Sequence, residues 1–332
     1  MRLRIQWDRK GAQMLKYILK RLASLLLILL VVSVLVFFVI RLVPGDPIQL
    51  MFGKSANPER VAEVRALYGL DKPVWQQYFI WMGNLLKGNW GTSIRLDEPV
   101  IDLVLERLPR TALLCVLGIL LSLAIAIPSG VIAAIKKNTI ADVAITTGNL
   151  LFISVPSFLC GILLIVVFSV NLQILPATGY VSPLDDLWGS IRSLVLPTIA
   201  MAACFFAALS RLIRSSMLEV LNQDYITLAR IKGNKEARVH YVHALKNALI
   251  PAITMIGLQI GYFLGGEIVV EKVFAFPGMG MLMLNALTQR DYPLIQATML
   301  VFTIIIVVVN MLTDIAYMLV DPKIRYGHAK MK

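Results

Sequence analysis

Six apolar runs of membrane-spanning length dominate this chain, at roughly 22–43, 112–135, 144–170, 194–213, 249–270 and 297–320. A helix needs about 20 predominantly apolar residues to cross a bilayer, and no water is available there to satisfy a stray backbone N–H or C=O. Such runs can fold only as helices, so the expected fold class is an all-α integral membrane protein with six transmembrane helices. Pro128 and Pro197 fall inside the second and fourth runs, where neighbouring helices can re-satisfy the freed backbone groups. Composition agrees, with 58% hydrophobic and 16% charged residues, against about 45–50% and 25% in soluble domains.

The charges orient the spans. With both termini cytosolic, the inner segments 1–21, 136–143, 211–247 and 321–332 hold 20 Lys/Arg and 6 Asp/Glu. The outer segments 41–110, 171–193 and 271–296 hold 12 of each, so the formal excess of +12 resides on the inner side. The positive-inside rule therefore sets both termini in the cytosol. Positive charge spread over four inner segments suits anionic lipid better than nucleic acid, and no nucleic-acid partner is expected. Cys115, Cys160 and Cys204 lie within apolar runs and suggest packing rather than a disulfide framework.

The resulting organisation is a cytosolic segment 1–21, a first transmembrane helix 22–43, an extracytoplasmic segment 44–110, a five-helix core 111–320 with a basic loop at 214–248, and a cytosolic tail 321–332. The first apolar run is too long for a signal-peptide core and has no small-residue cleavage site, so it is expected to be retained. The pattern Leu15 to Arg21 begins at Met14, and residues 1–13 read as a dispensable extension. In the outer segment Pro44-Gly45-Asp46-Pro47 signals a turn, and 58–69 starts with proline and ends with glycine, as a short helix should. A second helix after Pro73 carries Trp75, Tyr78, Phe79 and Trp81, suited to the membrane interface or to a soluble docking partner. The last outer connection contains Phe276-Pro277-Gly278-Met279-Gly280 and Arg290-Asp291-Tyr292-Pro293, with room for a short helix at about Met281 to Gln289.

Chemistry is sparse. No GxxxxGK[ST] string exists to cradle phosphates, so the chain has no such route to ATP. His240, His243 and His328 are the only histidines; His240 and His243 stand three apart on the basic loop and are expected to lack carboxylate or thiol partners. No GxSxG, HExxH or Ser/Lys arrangement suggests a catalytic residue, and no metal site is expected. Ionisable groups within spans are costly and therefore informative. Asp314 lies on a stripe with Asn310, Thr313 and Tyr317, and Glu267 and Glu271 stand near the outer end of the fifth run. Each could line a translocation path or make an interhelical hydrogen bond. Gly257, Gly261 and Gly265 repeat every four residues, a spacing that lets helix backbones approach closely.

The loop between the fourth and fifth runs carries Arg211 and Arg214 and then a short helical pattern. Tyr225, Leu228, Ala229 and Lys232 share one stripe, Thr227 and Arg230 point elsewhere, and Gly233 ends or bends the helix. A further helix from about Lys235 carries Val239, Val242, Leu245 and Leu249 towards the membrane. The short helix could drop into a groove on a cytosolic protein or lie on anionic headgroups.

The run Asp224-Tyr225-Ile226 through Ala229-Arg230-Ile231-Lys232-Gly233 to His243-Ala244-Leu245-Lys246-Asn247-Ala248-Leu249-Ile250-Pro251 resembles the EAA loop of ABC-importer permeases. It is most similar to the dipeptide/oligopeptide/nickel branch and to its first, B-type permease. Pro44-Gly45-Asp46-Pro47, Gly69-Leu70-Asp71-Lys72-Pro73, Phe276-Pro277-Gly278-Met279-Gly280 and Arg290-Asp291-Tyr292-Pro293-Leu294-Ile295-Gln296 also resemble branch signatures. Together they extend the likeness over about residues 14–326. Leu228, Ile231 and Met279 replace the usual threonine, alanine and leucine.

The resemblance implies a type I ABC-importer permease fold in which Tyr225 to Gly233 form the coupling helix. Ala229 and Gly233 would allow close approach to an ATPase subunit, with Leu228 on the contact and Arg230 and Lys232 supplying charge. It implies a homologous second permease subunit, two ATP-binding subunits and an extracytoplasmic substrate-binding protein. ATP and magnesium would sit on the partner ATPases, with no cofactor on this chain. Di- or oligopeptides are the implied cargo, with nickel, metallophores or glutathione as alternatives within the class. A secondary transporter would show inverted repeats and broken helices, and a membrane enzyme would show a catalytic constellation.

Overall fold

The structure is a computed structural model that describes residues 23–39 and 71–320. The N-terminal segment, the turn at 44–47, the helix expected at 58–69 and the tail from 321 lie outside the described residues. Within them the chain is helical, and its one β-bridge pairs Thr92 with Pro99.

The helices are α1 (Ala23–Val39), α2 (Val74–Leu86), α3 (Val100–Ile135), α4 (Ile140–Ser154) and α5 (Ser157–Asn171, π-helical from Ile165). There follow α6 (Leu187–Leu221), α7 (Asp224–Ile231), α8 (Glu236–Ala248) and α9 (Ile250–Gly266). The last are α10 (Ile268–Val273), α11 (Met279–Gln289) and α12 (Tyr292–Val320). Three of them, α3, α6 and α12, are individually long and apolar enough to cross a membrane. The pairs α4–α5 and α8–α9 qualify when each bent pair is taken together, and α1 is a shorter apolar helix.

Two of the expected spans are interrupted. The run at 144–170 is two helices bent by 99°. The break falls at Pro156: the residue before a proline is disfavoured in the α region, and Val155 is extended at φ −96°, ψ 119°. Pro128 and Pro197 do not interrupt α3 and α6. The run at 249–270 stops at Gly266 and resumes after Glu267. Elsewhere the helices outrun the apolar stretches: α3 begins at Val100 rather than near 112, and α6 extends from Leu187 to Leu221.

The described residues fall into two compact units, one holding 23–39, 71–106 and 282–311 and one holding 107–281 and 312–320. In the first, α2 packs on α1. Phe37 is fully buried between the rings of Tyr78 and Trp81, at 5.3 and 5.4 Å between centroids. The hydroxyls of Ser33 and Tyr78 share a buried hydrogen bond of 3.0 Å.

In the second unit α6 is the central element, and α4, α5, α8, α9 and α10 all pack against it. Its buried face is built largely from small residues, among them Ser193, Ala200, Ala202, Ala203, Ala207 and Ser210. Small side chains allow the close backbone approach on which helix association in lipid depends.

Candidate coupling helix and the polar pins of the membrane core

The helix α7 lies between α6 and α8 in the chain, both of which belong to the second unit. Asp224 provides an acidic residue in its first turn and Arg230 a basic one in its last, the arrangement the helix dipole favours. Its C-terminus is closed by a Schellman motif. The Gly233 N–H donates to the Arg230 carbonyl at 2.9 Å and the Asn234 N–H to the Ala229 carbonyl at 3.4 Å. Asn234 adds its side-chain amide to that same carbonyl at 2.9 Å. Gly233 sits at φ +77°, a left-handed conformation that costs other L-residues energy.

Burial divides α7 into two faces. Ile226 and Ala229 are buried, and α7 packs on the π-helical part of α8. Tyr225, Leu228 and Ile231 are 44%, 51% and 77% exposed. Tyr225 and Leu228 from the predicted stripe therefore face outward, together with Lys232, whereas Ala229 turns inward. Arg230 donates to Glu236 at 3.0 Å, and Glu236 also pairs with His240 at 3.2 Å, so His240, expected to lack a carboxylate partner, has one a helical turn away. The Tyr225 hydroxyl accepts from the Asn247 amide of α8 at 2.8 Å. This tie joins α7 to the helix that leads into α9.

Ionised and polar groups elsewhere in this unit pin helices together. Asp142, at the start of α4, receives Nε and Nη2 of Arg214 from α6 at 2.6 and 2.7 Å. It also accepts from the Asn138 N–H at 3.0 Å. Bidentate geometry of this kind is the strong form of a carboxylate–guanidinium pair. Ser210 of α6 meets Ser129 of α3 at 2.8 Å and Asn149 of α4 at 3.0 Å. Thr111, Asp142, Ser157 and Asn149 were not singled out as site residues from the sequence. Asn149 and Ser157 within an apolar run were the available signals.

Glu267 and Glu271 are both buried and both occupied. Glu267 accepts from Ser157 at 3.0 Å, joining the residue that interrupts α9–α10 to the first residue of α5. Glu271 accepts from the Thr111 hydroxyl at 2.9 Å and from the Met281 N–H at 2.8 Å, while Thr111 itself accepts from the Met279 N–H at 2.8 Å. One carboxylate and one hydroxyl thus cap the N-terminus of α11, the end at which negative charge is favourable. This explains a glycine in Phe276-Pro277-Gly278-Met279-Gly280: a Cβ at Gly278 would run into both the Glu271 carboxylate and the Thr111 hydroxyl. These contacts are interhelical hydrogen bonds, one of the two roles considered for these carboxylates.

Asp314 is half-buried and Asn310 is exposed. Gly257 lies against Thr313, whose side chain a Cβ would strike, so close helix approach occurs at the first glycine of the repeat. Gly261 and Gly265 follow within α9. Among the described residues no group of three or more His, Cys, Asp or Glu side chains could hold a metal ion.

In the first unit the turn before α12 is held by Asp291, which is 1% exposed. It accepts from the Ser93 hydroxyl at 2.5 Å, the Arg95 N–H at 3.3 Å and, as the cap of α12, the Leu294 N–H at 3.3 Å. The signature Arg290-Asp291-Tyr292-Pro293 is therefore the anchor of the loop that precedes α3.

Apolar helices of spanning length, bent at polar contacts, define an all-α membrane protein. The family model described as "Binding-protein-dependent transport system inner membrane component" matches residues 126–326, and the companion model for the N-terminal part matches residues 14–115. The chain belongs to this family. It is 42% identical to the oligopeptide transport system permease protein AppB of Bacillus subtilis (strain 168), covering 94% of this chain and 100% of that protein. It is 41% identical to a Brucella abortus (strain 2308) protein assigned by name to the peptide transport system permeases, covering 93% and 98%. A Sinorhizobium fredii protein assigned by name to the peptide ABC transporter permeases is 38% identical over 93% and 99%.

Proposed function

We propose that this chain is a permease subunit of an ATP-driven importer of di- or oligopeptides, coupled to its ATPase through α7. The reading is carried by the two-faced construction of α7. Ile226 and Ala229 bind it to its own chain, while Tyr225, Leu228 and Ile231 leave an apolar face uncovered. An apolar ridge of this size, flanked by Arg230 and Lys232, suits a groove on a soluble protein. The Tyr225–Asn247 hydrogen bond gives movement of such a partner a route to α8 and α9. Peptide cargo is supported by the names of relatives that match nearly end to end.

On this reading the loop containing α7 is cytosolic, as the distribution of Lys and Arg requires, and both termini face the same side. A second homologous permease, two ATP-binding subunits and an extracytoplasmic binding protein complete the importer. ATP and magnesium belong to the partner subunits and this chain contributes no catalytic group.

The test is reconstitution of the purified importer in vesicles and measurement of ATP-driven uptake of a labelled peptide. Leu228→Asp places a charge on the exposed ridge without touching the buried face. Uptake should be lost with membrane insertion intact, and ATPase subunits should no longer co-purify with the permease. Undiminished uptake and co-purification would refute the assignment of α7, and peptide transport by this chain without any ATPase subunit would refute the importer reading itself.

A further inference from the structure

The helix α2 presents a second uncovered apolar face, unrelated to α7 and independent of the cargo. Its 13 residues include no Lys, Arg, Asp or Glu, while Lys72 and Lys87 lie just beyond its two ends. Tyr78 and Trp81 turn towards α1, where they pack on Phe37. Trp75, Phe79 and Leu86 stand on the other side at 59%, 67% and 80% exposure. At 13 residues α2 is about 20 Å long, too short to cross the roughly 30 Å hydrocarbon layer of a bilayer.

Its depth follows from its partner. Tyr78 bonds to Ser33, which lies six residues before the last described residue of α1 at Val39, or roughly 9 Å along a helix. No charged residue occurs in α1, and Leu35, Phe38 and Val39 beside this contact are themselves exposed. A membrane helix that buries Ser33 and Phe37 against α2 brings α2 to its own depth. The uncovered faces of the two helices then form one continuous apolar surface without a charge.

We infer that α2 is inserted in the outer leaflet, with Trp75, Phe79 and Leu86 against lipid acyl chains, rather than resting on the aqueous side as a docking platform. The flanking Lys72 and Lys87 reach the headgroup region, and Trp75 sits near the boundary that tryptophan prefers. The hydroxyl of Tyr78, which would be unsatisfied in hydrocarbon, is satisfied by Ser33.

The test places a nitroxide on the intact permease in phospholipid vesicles. Trp75→Cys and Phe79→Cys are labelled in a background with Cys115, Cys160 and Cys204 replaced by alanine. Leu184→Cys, in a loop and 96% exposed, serves as the aqueous control. Labels at 75 and 79 should be relaxed by oxygen, which concentrates in lipid, and shielded from a water-soluble nickel chelate, while the label at 184 shows the opposite. Relaxation of both α2 labels by the nickel chelate would overturn the inference by showing an aqueous surface. Shielding from both reagents would also overturn it, showing that a protein partner covers the face. Should the labelled variants fail to insert, wild-type vesicles made with brominated acyl chains give a second readout. The Trp75→Phe variant should lose less emission in them than the wild type, and identical loss in both would count against lipid contact.

Discussion

Replacing Thr111 by valine tests whether the cap on α11 is held by a single hydroxyl. The side chains have nearly the same shape, so the substitution removes the oxygen without opening a cavity. Thr111 is 2% exposed and Met279 is fully buried, so water cannot replace the lost partner. Two contacts disappear together, the donation to Glu271 at 2.9 Å and the acceptance from the Met279 N–H at 2.8 Å. Leaving a buried N–H unpaired costs about 1–3 kcal/mol, and a hydrogen bond to a charged group contributes about 1.5–3 kcal/mol. The added valine methyl returns roughly 0.8 kcal/mol of burial, leaving a net loss of about 2–5 kcal/mol. At roughly 2–4 °C per kcal/mol, the scale for domains of about 150–250 residues, the unfolding midpoint of the detergent-purified protein should fall by about 4–20 °C. Thr111→Ser keeps the hydroxyl and should lose about 1 kcal/mol, the value of one buried methyl group. The reasoning is refuted if the valine variant melts with the wild type, or if the serine variant falls as far as the valine variant.

Arg214→Ala leaves the Asp142 carboxylate without its part-exposed guanidinium and should destabilise by about 1.5–3 kcal/mol, the value of hydrogen bonds to a charged group; thermal unfolding of the single variants and of the Arg214→Met/Asp142→Leu double variant should show recovery in the double. Asp291→Ala removes the acceptor shared by Ser93, Arg95 and Leu294, and hydrogen exchange should accelerate at the Ser93 to Val100 amides while those of α6 are unchanged. Gly233→Ala meets open space at its Cβ but pays for its φ of +77°, costing about 1–2 kcal/mol. Peptide uptake by the reconstituted importer should fall in Gly233→Ala, fall less in Gly233→Asn, which tolerates left-handed backbone, and vanish in Gly233→Pro.

The parts of the fold that follow from composition were legible in the sequence. Apolar runs placed the long helices, because a continuous apolar segment in lipid must satisfy its backbone within itself. The short helix before Gly233 was legible because a glycine in left-handed conformation ends helices by a common local mechanism. Legibility failed where the outcome depended on a contact distant in sequence. Pro128, Pro156 and Pro197 look alike in the chain, yet only Pro156 coincides with a break. Asp142 looked like one more loop charge, because its partner Arg214 is 72 residues away. The face of α7 was half legible: helical periodicity placed Tyr225 and Leu228 together, but only the packing against α8 decides that Ala229 turns inward.

Two of the polar contacts of the second unit lie where its helices break. Asn247 lies two residues before Leu249, where α8 and α9 meet at 48°, and it holds Tyr225 of α7. Glu267 interrupts the helix at the other end of α9 and holds Ser157, which follows the 99° bend between α4 and α5. A rigid α9 therefore has a hydrogen-bonded joint at each end, one to the proposed coupling helix and one to a broken span. Uninterrupted helices would spread a push on α7 over a long packed surface, whereas joints confine the change to a few backbone dihedrals. Packed interiors resist continuous deformation, and hinge motions are absorbed at a few element-terminal residues. The breaks at Val155, Leu249 and Glu267 lie at such element-terminal positions. Glu267 and Ser157 tie the end of α9 to the start of α5, and that contact stands without any cargo.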